Sequence, residues 1–292
     1  MSTGLLGFEE VQQRQGGPLA YVSPSRLSCW LSCPLKWAFR YRDGLRTPTS
    51  AALFTGKAVH ASLECYYRHR QLGVTLGADE INRRSLESWA QLVDEEEMAF
   101  DSPESEGAMR QQVADLVKVY LDTVPKDEKP LAVEVAAEVP LVDPFTGEDL
   151  GLPLVGIIDL VLDGKTGPLI VDHKTAARSS EPMEISHEIQ LSSYAWLHRQ
   201  ITGRQEAGLE VRSLIKTKVP KCEIHPYAAR TEAHFRRLFA VLREYVAALG
   251  GDTFNYRPGF GCAMCDYRRE CQGWDGTAGR DQATRQAVSA RR

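Results

Sequence analysis

Two aspartates and one lysine are the residues whose types and spacing could do chemistry. Asp159 lies in the apolar run VGIIDLVLD, and Asp172 and Lys174 lie in the next run, LIVDHKT. The residues DGKTGP between the two runs are typical of a tight turn. If residues 164–167 form the loop of a hairpin, counting back along both strands places Asp159 opposite Asp172.

Side chains opposite each other on antiparallel strands have Cβ atoms about 5 Å apart, and strand alternation puts Lys174 on the face of Asp172. Two carboxylates this close in an apolar sheet repel each other, and one of them holds a proton unless a cation lies between them. The pair therefore indicates a site for Mg²⁺ or Mn²⁺, which could bind a phosphate and activate a water. The alternative is that both aspartates are surface residues of edge strands that pair with Lys174.

Helices and strands succeed one another around this hairpin. The Ser23-Pro24 cap predicts a helix that breaks at Pro34, where an amide donor is missing. A block of strands begins at Val133 and contains the hairpin. The remaining periodic segments predict helices over 53–71, 185–200 and 231–249 and a strand over 209–218. This order predicts one mixed sheet flanked by helices, an α/β fold.

The chain is expected to form one domain over 23–275 between flexible ends at 1–22 and 276–292. Within it, the acidic helical stretch over about 79–123 is interpreted as an insertion with a solvated face. The segment 254–274 carries a cluster of cysteines.

Composition and charge restrict the function. The 292 residues are 43% hydrophobic and 25% charged, as in an ordinary globular protein, and the net charge of −4 excludes a surface that is basic throughout. Any binding of nucleic acid must therefore be local. No apolar run approaches the ~20 residues of a membrane span, and the first residues lack the pattern of a secretory signal. We expect a cytoplasmic protein without membrane contact.

Three cysteines lie close together in GCAMCDYRREC: Cys262, Cys265 and Cys271. Seven cysteines in the whole chain is an odd number, which argues against a disulfide framework and favours ligation of a metal or a cluster by some of them. A tetrahedral metal site or a cubane cluster needs a fourth ligand.

The motifs resemble the PD-(D/E)XK nuclease superfamily in its RecB-like branch. The resemblance rests on GIIDLVLD followed by IVDHKT, on QLSSYAW downstream and on GKAVH upstream, and it spans about residues 24–274. It implies a restriction-endonuclease-like core that hydrolyses phosphodiester bonds with one catalytic metal. The positions it implies around that metal are His60, Asp159, Asp172, Lys174, Gln190 and Tyr194.

The chemistry of these residues agrees with the implied roles. His60 lies on a predicted helix, and neutral imidazole is a good ligand for a divalent ion. The expected metal ligands are the side chains of His60, Asp159 and Asp172 and the backbone carbonyl of His173. Gln190 and Tyr194 are one helical turn apart and could present an amide and a hydroxyl to a phosphate or to Lys174. The alternative is that His60, Gln190 and Tyr194 are ordinary helix residues.

The resemblance extends to nucleases that hold a 4Fe-4S cluster with one early and three late cysteines, a group that includes the CRISPR adaptation exonucleases and the AddB nuclease domain. Cys33, which precedes a proline, is then the fourth ligand beside Cys262, Cys265 and Cys271, with Cys29 as a substitute. A cluster held this way would be a structural staple between distant parts of the chain. Zinc on the same ligands is the main rival.

Basic residues form two local groups. Lys36 and Arg40 lie among Trp30, Trp37 and Tyr41, which could stack on single-stranded bases or belong to the core. Arg212, Lys216 and Lys218 follow along a predicted strand, which we interpret as a second basic stripe. We expect these groups to contact DNA.

The expected function is a Mg²⁺- or Mn²⁺-dependent DNA exonuclease in recombination, repair or phage- or CRISPR-type DNA processing, acting on single-stranded DNA or on free ends. A helicase, recombinase or integrase partner would be a separate protein, since no phosphate-binding GxxxxGK[ST] motif occurs. The alternatives are an inactive DNA-binding or scaffold module, a structure-specific endonuclease or an enzyme that acts on RNA.

Overall fold

The computed structural model of the chain describes residues 4–6, 20–179 and 184–276. Most of the two ends that the sequence predicts to be flexible, 1–22 and 276–292, lies outside the described residues. The short segment 180–183 does so too.

The described residues form one mixed sheet of six strands, which lie in the order of the sequence. β4 and β5 are parallel, and the other neighbouring strands are antiparallel. The predicted mixed α/β sheet is therefore confirmed. The strands are β1 (Gly4–Leu6), β2 (Pro130–Val142), β3 (Asp149–Gly164), β4 (Gly167–Ala176), β5 (Gly208–Ile215) and β6 (Lys221–Ala228).

The helices begin where the sequence places caps. Ser23 accepts a hydrogen bond of 3.3 Å from the amide of Arg26, the first helix ends at Ser32, and Pro34 starts the next one. The helices are α1 (Pro24–Ser32), α2 (Pro34–Trp37) with a π-helical turn (Ala38–Arg42), α3 (Ala51–Gln71), α4 (Ala78–Glu87), α5 (Trp89–Glu95), α6 (Pro103–Thr123), α7 (Glu184–Thr202), α8 (Glu232–Gly250), a 3-10 turn (Phe260–Met264) and α9 (Arg268–Gln272). Among the described helices, none combines the length and the apolar character needed to cross a bilayer.

Helices cover both faces of the sheet. One core lies between the sheet and α1, α7 and α8, and it includes Leu27, Leu197 and Leu242. The other lies between the sheet and α3 to α6, and it includes Leu63 and Leu116. The acidic stretch is thus part of a full layer, because α4 to α6 bury apolar side chains against α3 while residues such as Asp94 and Glu97 stay exposed.

Strand β6 follows β5 where the sequence predicts one longer strand over 209–218. β5 ends at Ile215, and the chain turns before Lys221. β6 lies at the edge of the sheet and is half-exposed along most of its length. It has no continuous apolar run, which is why the sequence pattern gives no strand there.

The segment after α8 packs against the first helices and forms a small corner of the molecule. The ring of Phe254 stacks on Trp37 at 5.2 Å, and the amide of Leu35 donates to the carbonyl of Asn255 at 3.2 Å. The hydroxyl of Tyr267 donates to the carbonyl of Leu45 at 3.0 Å. Residues from the two ends of the described chain therefore meet in one place.

Candidate metal centre and active site

The β3–β4 hairpin has the register that its turn predicts. Cα pairing runs from Gly164–Gly167 to Leu160–Val171. The strands therefore stay paired up to a turn of two residues, which is shorter than the predicted loop of four. The paired ladder ends at Leu160–Val171. In the next position the carboxylate of Asp159 accepts a hydrogen bond of 2.8 Å from the amide of His173.

Asp172 lies at the centre of a hydrogen-bonded group that faces α7. Its Oδ1 accepts from Lys174 Nζ and from Gln190 Nε2, both at 2.8 Å, and the side chain is 1% exposed. Gln190 Nε2 also lies 2.8 Å from the hydroxyl of Tyr194, one turn further along α7. Gln190 thus contacts Asp172 and not Lys174, which was one of the expected partners.

Helix α7 approaches the sheet closely at Gly156. A Cβ on this glycine would lie 2.7 Å from Cδ1 of Leu197, which is too close for an unshifted structure. The absence of a side chain at this position of β3 therefore allows α7 to bring Gln190 to Asp172.

His60 approaches the same acids from α3. Its Nε2 lies 3.0 Å from the carbonyl oxygen of His173, and its Nδ1 lies 3.7 Å from Oδ2 of Asp159. Gly56, one turn earlier, brings the helix close to β4, because a Cβ there would lie 3.2 Å from Oγ1 of Thr175. The structure therefore brings together all the residues that the sequence predicts around the metal.

Glu134 is a residue of this group that the sequence analysis missed. It lies on β2 between the pairs Val133–Leu160 and Val135–Ile158, so its register position is opposite Asp159. Its Oε1 is 3.7 Å from Nδ1 of His60, and its backbone φ of 45° is rare for a residue other than glycine. The register of β2 against β3 is the sequence signal that could have identified Glu134. Irregular pairing near Pro130 and Pro140 makes that register hard to predict.

Burial sets the electrostatics of the acids. Burial raises the pKa of Asp159 and of Asp172, and the charge of each acid's carboxylate neighbour raises it further. The charge of Lys174 acts in the opposite direction on both acids without reversing the effect. Charged carboxylates are therefore costly here without a further cation.

The two basic side chains hold their protons in this environment. Burial acts against the charge of His60, but Asp159 and Glu134 outweigh it and raise the pKa of His60 to about 9. Burial likewise disfavours the charge of Lys174, and Asp172 and Asp159 outweigh it, so the pKa of Lys174 is raised. In the absence of a metal, both groups are cations at neutral pH.

The donor set fits a small hard divalent cation. One ligand atom each from His60, Glu134 and Asp159 lies within 4.8 Å of the others. The carbonyl oxygen of His173 lies 3.0 Å from Nε2 of His60, and the charges of Asp159 and His60 both act on the nearby carboxylate of Asp172. Carboxylate and carbonyl oxygens with one imidazole suit Mg²⁺ or Mn²⁺.

A second group of candidate ligands lies in the corner between the chain ends. One cavity of about 380 Å³ is lined by Cys33, Cys262, Cys265 and Cys271. Cys33, Cys265 and Cys271 pack against the same small apolar cluster, and the amide of Arg257 donates to Sγ of Cys33 at 3.4 Å. Burial and the neighbouring thiols raise the pKa of Cys271. Thiols are the ligand type that a tetrahedral metal or a cubane cluster takes, and all four line this one cavity.

The other cysteines take different places. Cys29 packs against the core under α1, and burial raises its pKa. Cys65 and Cys222 pack against the core on the other face of the sheet.

The predicted nucleic-acid residues divide into exposed and buried ones. Arg40 and Lys218 are exposed, and Lys36 and Lys216 are half-buried. The prediction for Arg212 is wrong: the side chain is 2% exposed and pairs with Glu128 and with Glu210, an acid of the same strand. The structure also assigns Trp30 and Trp37 to the core, where both rings contact Tyr245 edge to face, so they do not stack on bases.

Comparison with known families agrees with this site. The sequence model of the PD-(D/E)XK nuclease superfamily matches residues 21–272. The chain belongs to the PD-(D/E)XK nuclease superfamily. This membership supports a nuclease, with nucleic acid as its class of substrate.

One solved structure shows the same fold at low sequence identity. A protein from Eubacterium rectale, provisionally assigned as an exonuclease, superposes with a TM-score of 0.56 and 13% identity, covering 91% of this chain and 94% of that one. The protein SSO0001 has a TM-score of 0.45 and 13% identity, with 91% of each chain covered. No curated protein matches the sequence.

Proposed function

We propose that the protein is a Mg²⁺- or Mn²⁺-dependent deoxyribonuclease that acts as an exonuclease at DNA ends. The observation that carries the proposal is the meeting of Asp159, Asp172, Lys174 and His60 where the β3–β4 ladder ends. Buried acids with raised pKa values beside a protonated lysine are typical of catalytic sites, and this group is complete.

In this proposal His60, Asp159, Asp172 and the carbonyl of His173 hold the metal, with Glu134 beside them. The bound ion supplies stabilisation of charge on the phosphate and a water of lowered pKa. Lys174 holds its proton next to Asp172, so it orients the attacking water and stabilises negative charge on the phosphate. Gln190, held by Tyr194, fixes the orientation of the Asp172 carboxylate.

Basic residues near the carboxyl ends of β4 and β5 would contact the DNA backbone. The two strands are parallel and end side by side, and the amide of Lys216 donates to the carbonyl of Ala176 at 2.8 Å. Lys216 and Lys218 therefore follow β5 just beyond the residues that carry Lys174. Lys36 and Arg40, near the cysteine cavity, would provide a second contact.

We further propose a 4Fe-4S cluster on Cys33, Cys262, Cys265 and Cys271. The fit of the four thiols around one cavity supports it, and the amide of Arg257 near Cys33 is a donor of the kind that stabilises such ligands. Its role would be structural, because it would tie the first helices to the segment after α8. None of the seven cysteines, all of which lie in the described residues, forms a disulfide, which favours a reducing compartment such as the cytoplasm.

The proposed setting is recombination, repair or phage- or CRISPR-type DNA processing, with any helicase, recombinase or integrase as a separate protein. The superfamily membership supports a role in the processing of nucleic acid, which these settings share.

The experiment that tests the proposal uses protein purified without oxygen and end-labelled single-stranded, duplex and closed circular DNA, with Mg²⁺ or Mn²⁺. We expect nucleotides to be released from ends, and Asp172→Ala or Lys174→Ala to abolish release while DNA binding persists. Asp163→Ala, an exposed acid of the same hairpin, is the matched control with full activity. Rapid cleavage of closed circles would assign an endonuclease, and no cleavage of any substrate would support a binding or scaffold module.

A further inference from the structure

His173 connects the candidate metal centre to a buried cluster between the sheet and helices α3 and α6. Its amide donates to Asp159, and its carbonyl oxygen faces Nε2 of His60. Its neighbours on β4, Asp172 and Lys174, project towards α7, so alternation sends the His173 ring towards α3 and α6. The ring is 3% exposed, and its Nε2 lies 2.8 Å from the hydroxyl of Tyr120 on α6.

The cluster under the sheet consists of Tyr67, Tyr120, Glu128 and Arg212, which we call the tyrosine network. The hydroxyl of Tyr67 donates to Oε2 of Glu128 at 2.7 Å and lies 2.8 Å from the hydroxyl of Tyr120. The ring of Tyr67 stacks on that of His173 at 6.2 Å. The network therefore surrounds the imidazole with hydrogen bonds and aromatic contacts.

The number of hydrogens that these groups carry decides which group donates in each contact. A phenol has a single hydrogen, and that of Tyr67 goes to Glu128. Each contact then has its own hydrogen only if Tyr120 donates to Tyr67 and Nε2–H of His173 donates to Tyr120. The hydrogen bonds of the network therefore select the Nε2–H tautomer of the His173 ring.

Arg212 anchors the network. Its Nη1 donates to the hydroxyls of Tyr120 and Tyr67 at 3.0 and 3.2 Å, and its Nη2 donates to Oε1 of Glu128 at 2.6 Å. A buried charged group with satisfied partners is costly to displace, because its removal leaves uncompensated polar groups. The hydroxyl of Tyr120 is thus held rigidly, and so is the imidazole that contacts it.

We propose that Tyr120 is a positioning residue for the metal centre. By holding the His173 ring between the sheet and α6, it fixes the His173 peptide, whose carbonyl faces His60 and whose amide orients Asp159. The inference rests on the proposed metal-dependent function, but it concerns metal affinity and not the hydrolytic step. Neighbours that orient metal ligands typically change metal affinity 10–100-fold when they are lost.

The test measures Mn²⁺ binding to the full chain by calorimetry. Tyr120→Phe should weaken Mn²⁺ binding about tenfold. Tyr67→Phe is the matched control, because it removes a hydroxyl from the same network but keeps the contact between Tyr120 and His173; it should bind Mn²⁺ within about threefold of wild type. Imidazole ¹⁵N shifts provide an independent readout, with His173 in the Nε2–H tautomer in wild type and without a fixed tautomer in Tyr120→Phe.

Equal Mn²⁺ affinity in wild type and Tyr120→Phe would overturn the inference, and so would an equal loss in both variants, which would indicate a general loss of stability. If Tyr120→Phe does not fold, His173→Phe removes the same contact while it keeps the carbonyl and the aromatic packing, and the same weakening is expected. A wild-type chain that takes up no Mn²⁺ would overturn the proposed function itself, and the inference with it.

Discussion

The carboxylate of Asp159 accepts a hydrogen bond of 2.8 Å from the backbone amide of His173, across the two strands of the hairpin. The bond lies one position beyond the last paired residues, Leu160 and Val171. A side-chain oxygen thus satisfies a buried amide at the point where the ladder ends. Asp159 therefore has a structural role and a chemical role, and substitutions can separate them.

Asp159→Asn should abolish cleavage but preserve the fold. The side-chain oxygen of Asn still accepts from the amide of His173. The change also removes the charge of a carboxyl group whose pKa is raised by burial. The metal-free variant should melt at or above the temperature of wild type at pH 7. Asp159→Val should instead lose about 1–3 kcal/mol of unfolding free energy, because the amide of His173 loses its acceptor. Thermal melts with and without Mg²⁺ check both expectations, and residual nuclease activity in the Asn variant would contradict the first.

Metal binding should release a proton from His60. Its pKa of about 9 lies above its ordinary value of 6.5, so His60 carries a proton in the metal-free fold at pH 7.5. This ionisation stabilises the metal-free fold fully below pH 6.5, and the stabilisation is lost as the pH rises through about 9. A ligand imidazole must be neutral, so Mn²⁺ affinity should rise about tenfold per pH unit in this window for one proton.

The measurement is calorimetric titration with Mn²⁺ at pH 7.5 in buffers of different ionisation enthalpy. His60→Asn is the control, and it should release fewer protons when it binds Mn²⁺. An identical heat in every buffer for wild type would show that no proton leaves, against the expectation.

Gly156→Ala should disturb the position of α7. The new methyl group would lie 2.7 Å from Leu197, a buried residue of α7, and overpacking of this kind costs about 1–3 kcal/mol. Because Gln190 and Tyr194 lie on the same helix, kcat should fall while DNA affinity changes little. Gly107→Ala in α6 is the control: nothing lies near its Cβ, and alanine in an exposed helix should raise stability by up to about 1 kcal/mol. Equal activity in Gly156→Ala and wild type would show that α7 does not set the site.

Cys271→Ser should remove the proposed cluster. Iron and sulfide measured after anaerobic purification should fall with it, and the melting temperature should fall because the corner loses its link between distant segments. Cys222→Ser, which changes a thiol on the other face of the sheet, should retain full iron and sulfide. Stoichiometric zinc in colourless wild-type protein would identify zinc instead, and no bound metal of either kind would contradict the site.

Local rules predicted most of the hairpin and the helices. The turn between β3 and β4 sets the register that brings Asp159 towards Asp172, and the spacing of Gln190 and Tyr194 puts them on one face of α7. These relationships span few residues, so sequence spacing is sufficient to find them.

The features that sequence reasoning missed depend on distant partners. Glu134 reaches the site through the register of β2, which bulges interrupt. The burial of Arg212 depends on Glu128, which lies 84 residues away, as well as on Glu210, two residues earlier in the same strand. Trp30 and Trp37 are buried because Tyr245 of α8 covers them, and nothing near them in the sequence indicates this contact.

The packing of residues 254–274 against the first helices has a consequence for the order of assembly during translation. Leu35 and Phe39 are synthesised more than 200 residues before Tyr267, which covers them. Through that interval these early residues expose apolar surface, although the strands that carry Asp159 and Asp172 have already emerged. The corner therefore closes only after those strands are available to fold.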